Sequence, residues 1–375
     1  MRIVIVFVGP IKIMARLFKT IDTLTAAGHE CRLIHGRVER EPPDYSGFPI
    51  PVESLWVSQD RWKPLTFASQ ILFGLRAGRR AVRARPQALV CINLVPLLAG
   101  IIVKRRLGEA VTFVYDSTEL GLDMIPSALK RRLWGPIYRR GLREADAMVH
   151  ASPERRELMI EKYAPPGRPY VVCNYPRYRP PFCRRPAPPP LRAIYLGILM
   201  RDRFCVEMLK AFADMNDPAV EFDLIGFYGR EDYRQEIEAA AKQPTQTKIR
   251  VLPPIPQSKV LDQLADYHIG IAFYETNNPN EYHCAPNKLY DYISAQVAVL
   301  GSGQPALRKI IEAHRIGVCI DRVTPDAIRG AVEAIRAGRM WENITEDLRR
   351  RYCWESQENE WLAAIGAGPT EAEPT

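Results

Sequence analysis

Several chemistries are excluded by what the sequence lacks. It has no GxGxxG fingerprint, no Walker A loop and no GxSxG elbow, so nicotinamide oxidoreductases, P-loop NTPases and serine hydrolases lose their usual signatures. The eight cysteines, at 31, 91, 173, 183, 205, 284, 319 and 353, form no CxxC pair, and no cysteine or histidine stands at zinc-finger spacing. They read as reduced thiols of a cytoplasmic protein, without a structural metal or a disulfide framework. Long apolar runs are equally scarce. The longest, ALVCINLVPLLAGIIV at 88–103, is broken by Asn93, Pro96 and Gly100 and falls short of the ~20 residues that span a bilayer. It reads as a buried strand followed by a buried helix. The opening MRIVIVFVGP is too short for a signal peptide. No internal repeat of 20–50 residues occurs, and no RRM, KH or helix-turn-helix signature supports a nucleic-acid partner.

What is present points to two α/β domains. The length of 375 residues exceeds one ordinary domain. Charge divides unevenly: residues 1–180 hold 29 Lys/Arg against 16 Asp/Glu, and residues 181–375 hold 23 against 27. Such asymmetry fits two units facing different partners. RIVIVFV (2–8) is a β-branched run of the kind buried on both faces of a parallel sheet, followed by a helical pattern of Ile13, Leu17, Ile21 and Leu24 and a second strand at 31–35. The βαβ rhythm recurs at 111–116 and 147–152, then at 191–197, 221–227, 248–253, 269–274 and 297–301. Between the halves, seven of the fifteen residues in 176–190 are proline, a stiff extended spacer. The expected organisation is therefore a Rossmann-like domain at 1–178, a proline-rich linker at 179–190, a second Rossmann-like domain at 191–340, helices at 341–365 packing back on the first domain, and a flexible tail at 366–375. Two such domains leave a cleft between the carboxyl ends of their strands, where α/β sheets bind ligands.

Within 284–317 the spacing is chemically suggestive. Pro286 opens a helix, Lys288 falls in its first turn, and Asp291 lies one turn on along the same face. Free N–H groups and a lysine suit a phosphate, and a carboxylate suits vicinal hydroxyls; a plain surface ion pair fits the spacing as well. Ser302 and the turn after it offer further donors. Gly9 either lets a ligand approach the first strand or is a simple turn residue. In YDSTEL (115–120), Asp116, Ser117 and Glu119 lie at a strand end, where the carboxylates orient an acceptor hydroxyl or, alternatively, Asp116 or Ser117 caps the following helix. Asn93 is a weaker candidate. Basic runs at 76–85 and 130–143, the second interleaved with Leu133, Trp134, Ile137 and Tyr138, fit either a solvated face or an anionic membrane surface.

PNKLYDY (286–292), the strand and turn after it, RKIIEAHRIG (308–317), IYLGILMRDRFCVEMLKAF (194–212), PPIPQSKVLDQLADYHIGIAF (253–273), YDSTEL and YCWESQENEWL (352–362) together resemble the GT-B glycosyltransferases of the family-4 type. The resemblance follows the family's order over most of the chain. It implies two Rossmann-like domains in GT-B architecture and transfer of a sugar from a nucleoside-diphosphate donor to a hydroxyl of a lipid-linked or cell-surface glycan. Retention of configuration is implied, with no metal or other cofactor. The donor diphosphate would meet Lys288 and Arg203, with Arg201 as the alternative arginine. The ribose would meet Asp291, and the base the loop at Ile255. Gly197, Asn287 and Ser302 would complete a donor site spanning residues 197–305. The family's first acid, seven intervening residues before the KxxE acid, falls on His283, with Glu281 and Glu275 nearby but out of register. His283, Asp116 and Glu119 stand as the catalytic candidates. The basic runs imply peripheral attachment to the inner face of a membrane. A nucleotide-sugar 2-epimerase or a non-catalytic partner subunit on the same fold are the competing readings.

Overall fold

The computed structural model describes residues 1–11, 14–58, 63–125, 127–180, 184–275, 279–283 and 287–367, with the side chains of 63, 64 and 280 left aside. It divides into two compact units, residues 1–174 with 357–375 and residues 175–356.

In the first unit, β1 (Arg2–Val8), β2 (Glu30–Arg37), β3 (Val52–Trp56), β4 (Ala88–Ile92), β5 (Thr112–Ser117), β6 (Ala147–His150) and β7 (Arg168–Val171) form one parallel sheet in the order β3-β2-β1-β4-β5-β6-β7. The central strands read as unbroken Val/Ile/Leu because helices cover both faces. On one face, Phe73, Ala77 and Ala81 of helix Lys63–Ala84, Leu97 and Val103 of helix Leu97–Leu107, and Trp134, Tyr138 and Leu142 of helix Ala128–Glu144 share a core with Val4, Val6, Leu89, Phe113 and Tyr115. Helix Ala15–Ala26 buries Leu17, Ile21 and Leu24. Glu358–Ala364 is a short final helix, and its Glu358 accepts a 2.7 Å hydrogen bond from Thr23 Oγ1.

The second unit holds β8 (Leu191–Leu199), β9 (Val220–Tyr228), β10 (Lys248–Leu252), β11 (Ile269–Ala272), β12 (Ala298–Ser302) and β13 (Gly317–Ile320), all parallel, in the order β10-β9-β8-β11-β12-β13. Chain direction across the sheet reverses between β8 and β11, which opens a crevice beyond their carboxyl ends. The core below it is built from Tyr195, Leu209, Phe212, Phe222, Ile271, Leu300 and Val332. Phe212 and Phe222 stack with centroids 4.1 Å apart.

Three expectations about organisation change. The division falls after residue 174, and residues 184–190 belong to the second unit, where the N–H groups of Arg184 and Arg185 donate to Ala265 O. The stretch expected at 341–365 splits as well: residues through 356 stay with the second unit, and only the segment from 357 joins the first. Trp134 and Tyr138 are core residues, 3% and 0% exposed, so they add nothing to the surface of the basic run around them. Of the tail, residues 368–375 lie outside the described residues, as do Cys183, Cys284 and Pro286. No described helix is long and apolar enough to cross a membrane.

Candidate functional site

At the crevice of the second sheet, β8 ends and the chain turns through Arg201–Arg203 into helix Cys205–Met215. The turn aims Arg203 back over the sheet. Its guanidinium lies 4.9 Å from the Tyr274 ring centroid and forms ion pairs with Glu281 at 2.9 Å and Asp202 at 3.3 Å. Lys288 enters from the first turn of helix Asn287–Ser294, its Nζ 4.0 Å from the Tyr195 centroid and 5.4 Å from that of Tyr274. The two cations thus share one aromatic ring, although they are 85 positions apart in the chain. A lysine lying across the sheet end needs a residue beneath it with no side chain. Gly197 is that residue: its φ is +151°, and a Cβ there would approach Lys288 Cε to 3.0 Å.

Burial, and then the positive charge of Arg203, push the Lys288 amine down to about 7. Among the described residues it forms no ion pair. Two adjacent cations, one of them starved of counter-charge, make a receptor for an anion with more than one negative oxygen. The aromatic platform is itself fixed. The Tyr274 N–H donates to Ser302 Oγ at 2.9 Å, and Gln304 Nε2 donates to Tyr274 O at 2.7 Å. Ser302 Oγ then donates to Gln304 Oε1 at 2.6 Å. Tyr195 is anchored by donation from its hydroxyl to Ile198 O at 2.8 Å.

The other expected residues fall into place unequally. Asp291 shares the helix of Lys288 and is half-buried, and Asn287 begins that helix. Ile255 sits half-buried in the loop after β10. His283 follows the short helix Pro279–Tyr282, its ring edge-on to Tyr282 at 5.0 Å. Arg201 turns outward: it lies 4.8 Å over Tyr233 and pairs with Glu236 and, at 3.8 Å, Asp232. Of the two candidate arginines, Arg203 is therefore the one beside Lys288. Ser302 is 3% exposed, with its hydroxyl spent on Tyr274 and Gln304, so it positions the platform and offers no free donor.

The first unit brings larger corrections. Asp116 is fully buried. Arg16 grips both its oxygens, with Nε to Oδ2 at 3.0 Å and Nη2 to Oδ1 at 2.8 Å, and donates a third bond to Val172 O. A carboxylate held this way ties helix Ala15–Ala26 to β5 and cannot present itself to an acceptor. Ser117 is buried and donates to Glu119 O at 2.8 Å, while Glu119 itself is exposed. The cap of the next helix is Ser127, whose side chain accepts from Lys130 N. Asn93 Oδ1 accepts from both Thr118 N and Thr118 Oγ1. Gly9 behaves as a turn residue: its N–H donates to Gly36 O at 3.1 Å, and its carbonyl bonds His35 Nε2 at 2.8 Å. Sequence reasoning missed Tyr195 and Tyr274, which form the walls between the cations, and Gln304. Tyr195 lies in the middle of β8 and Tyr274 two residues past the end of β11, and no local pattern in the sequence marks either. No group of three or more His, Cys, Asp or Glu able to hold a metal occurs among the described residues.

Comparison with known proteins agrees with this architecture. Residues 15–175 match the model of the glycosyl transferase 4-like domain. No curated protein matches the chain in sequence. Among solved structures, the apo form of the lipopolysaccharide outer core galactosyltransferase WaaB is similar at a TM-score of 0.70 and 12% identity, over 98% of this chain and 99% of that one. HepE of Anabaena, in complex with UDP-glucose, gives 0.70 and 12% over 98% and 100%. Sucrose-phosphate synthase of Thermosynechococcus elongatus gives 0.68 and 14% over 95% and 96%. The fold is GT-B.

Proposed function

We propose that this GT-B glycosyltransferase, whose residues 15–175 form a glycosyl transferase 4-like domain, moves a sugar from a nucleoside diphosphate to a hydroxyl of a lipid-linked glycan, with retention at the anomeric carbon. The observation that carries the reading is the pairing of Lys288 and Arg203 around Tyr274. As the bond from the anomeric carbon to the diphosphate oxygen breaks, negative charge grows on the leaving phosphate. Two cations fixed before the reaction stabilise that charge without reorganising, which lowers the barrier more than it tightens ground-state binding. In this scheme the residues themselves neutralise the phosphate, and no metal is required.

The remaining residues take supporting roles. Asp291, one turn beyond Lys288, faces the ribose hydroxyls, and Ile255 borders the base. His283 supplies a hydrogen bond to the sugar and no carboxylate. Glu281, already paired with Arg203 at 2.9 Å, sets the direction of that guanidinium. UDP-glucose bound to HepE makes UDP-sugars the first donors to try. The acceptor is proposed at the inner face of a membrane, since the first unit concentrates the positive charge. Neither the epimerase nor the non-catalytic reading gains a specific observation here.

A thermal-shift panel of nucleoside diphosphates and their sugars, run in EDTA, tests the site. A matching donor at a hundred times its Kd should stabilise the protein by about 2.7 kcal/mol. The shift should vanish in Lys288→Ala and Arg203→Ala and persist in Arg201→Ala. Equal shifts in all four proteins would refute the phosphate site.

A further inference from the structure

The helix that carries Lys288 is only eight residues long, Asn287–Ser294, too short to hold its own position. Where the lysine sits is therefore decided by what grips that helix. In its middle, the Tyr292 hydroxyl donates to Ile271 O at 3.0 Å and fixes the helix to β11. Tyr290 packs against Tyr175 and Tyr352, with ring centroids 4.4 and 6.0 Å away. The far end is held by Arg349, which is 3% exposed. Its Nε donates to Ser294 O at 2.9 Å, its Nη2 to Arg179 O at 2.6 Å and its Nη1 to Glu346 Oε2 at 2.8 Å. One planar fork thus joins three segments: the last residue of the lysine's helix, the stretch 175–179 that opens the second unit, and helix Glu346–Arg351 close to the end of that unit. Nearby, Gln296 Nε2 donates to Ile344 O at 3.2 Å.

A cation at a helix C-terminus answers the negative end of the dipole and an orphan carbonyl at once. Stability alone does not call for it, since apolar side chains of similar volume often serve a core as well as a buried ion pair does. What an arginine adds is direction. Its fork reaches three acceptors in one orientation, which the single ammonium of a lysine cannot enforce. Ser294 and Lys288 are six residues and about 9 Å apart along the helix, so a shift of the pinned end is carried to the lysine. The charged and titratable groups around the Lys288 amine are Arg203, Asp202 and Cys205, none of them on the segments that Arg349 joins. We infer that Arg349 is a positioning residue for donor binding: it sets the place of the Lys288 ammonium over Gly197 by fixing the opposite end of the helix to the entry and exit segments of the unit. The inference rests on the reading of Lys288 as a phosphate ligand. Arg349 acts through the helix and not by contact with the diphosphate.

Arg349→Lys keeps the charge and loses the fork, so its effect on Lys288 reports geometry. Competitive acetylation of the full chain with acetic anhydride, without nucleotide and read on the Lys288 peptide across a range of pH, gives the midpoint of the amine, expected at about 7 in the wild type. In Arg349→Lys the amine should be less desolvated, and the midpoint should rise by about one unit. UDP binding, measured by calorimetry at about pH 6 where the amine is largely charged in every variant, should weaken about tenfold, the scale of one charge-assisted hydrogen bond. A lower melting temperature with midpoint and UDP affinity unchanged would leave Arg349 a purely structural residue and overturn the inference. Gln296→Gly decides the matter if Arg349→Lys does not fold. The Gln296 backbone is left-handed, at φ +56°, a conformation that glycine adopts without strain, so this variant loses the bond to Ile344 O at little cost in melting temperature. A smaller rise of the midpoint is expected there, and no rise would overturn the inference as well. Failure of the donor reading would look different: the wild type would not bind UDP, while Arg349→Lys still moved the midpoint.

Discussion

Lys288 sits across the end of a sheet with a tyrosine under its ammonium and an arginine beside it. Burial first, then Arg203, lower its affinity for a proton to about 7. Because the folded value lies below the unfolded one, the unfolded chain holds more protons from about pH 7 to the ordinary lysine range, and this group returns stability as pH rises through that window. The diphosphate proposed for this site would reverse the preference, since an anion favours the ammonium. At pH 8, donor binding should therefore take up most of one proton, and at pH 6 almost none. Calorimetry in two buffers of different ionisation heat measures the uptake, and identical heats at pH 8 would rule it out. Lysine and arginine were legible in the sequence through PNKLYDY and the turn after β8. The aromatic ring they share was not, because nothing local distinguishes Tyr274 from any tyrosine at a strand end. Asp116 misleads for a similar reason: its partner Arg16 is 100 positions away, and a strand-end carboxylate looks the same in sequence whether buried or free.

Strands and helices set how tightly that site is held. Gly226 in β9 lies against β8 so closely that a Cβ would fall 1.7 Å from Gly197 O. The clash is with backbone, so Gly226→Ala must push β8 and with it the residue beneath Lys288. Overpacking of this kind costs about 1–3 kcal/mol, so a melting temperature several degrees lower, together with loss of the donor-induced shift, is the expected result. Gly330, in helix Pro325–Gly338, has nothing within 4 Å, and its change to alanine should stabilise by up to about 1 kcal/mol. Equal effects of the two changes would show that β8 yields without cost. Central strands were readable because burial on both faces demands unbroken apolar runs. Three strands escaped: β3, β7 and β13, each at an edge of its sheet. Edges are half-solvated and tolerate Glu53, Ser54 and even Pro169, so their composition resembles that of loops.

At the scale of the whole molecule, each unit has a buried histidine with the same depressed proton affinity, His150 in the first, where His35 is buried as well, and His268 in the second. His150 ends β6 in the first, and His268 precedes β11 in the second, its Nδ1 accepting from Arg192 N and its Nε2 donating to Pro186 O. Burial leads the causes that push both down to about 4. A folded value below the unfolded one means stability is present above the ordinary histidine range and is lost as pH falls from about 6.5 towards 4. Differential scanning calorimetry between pH 7 and 4.5 should show the melting of both units decline, and a transition that holds its temperature over that range would contradict the assignment. The two-unit organisation was legible from the proline-rich stretch and the repeated βαβ rhythm. The true boundary was not, because proline content marks stiffness and not ownership. The chain leaves the first unit after residue 174 and re-enters it at 357. Within the second unit, Trp354 N donates to Pro176 O at 2.8 Å, and within the first, Gln357 bonds the backbone of Cys173. Exit and return therefore run side by side, which makes residues 175–356 a cassette with adjoining ends, one that recombination can lift out or exchange whole while the severed ends of the host already lie together.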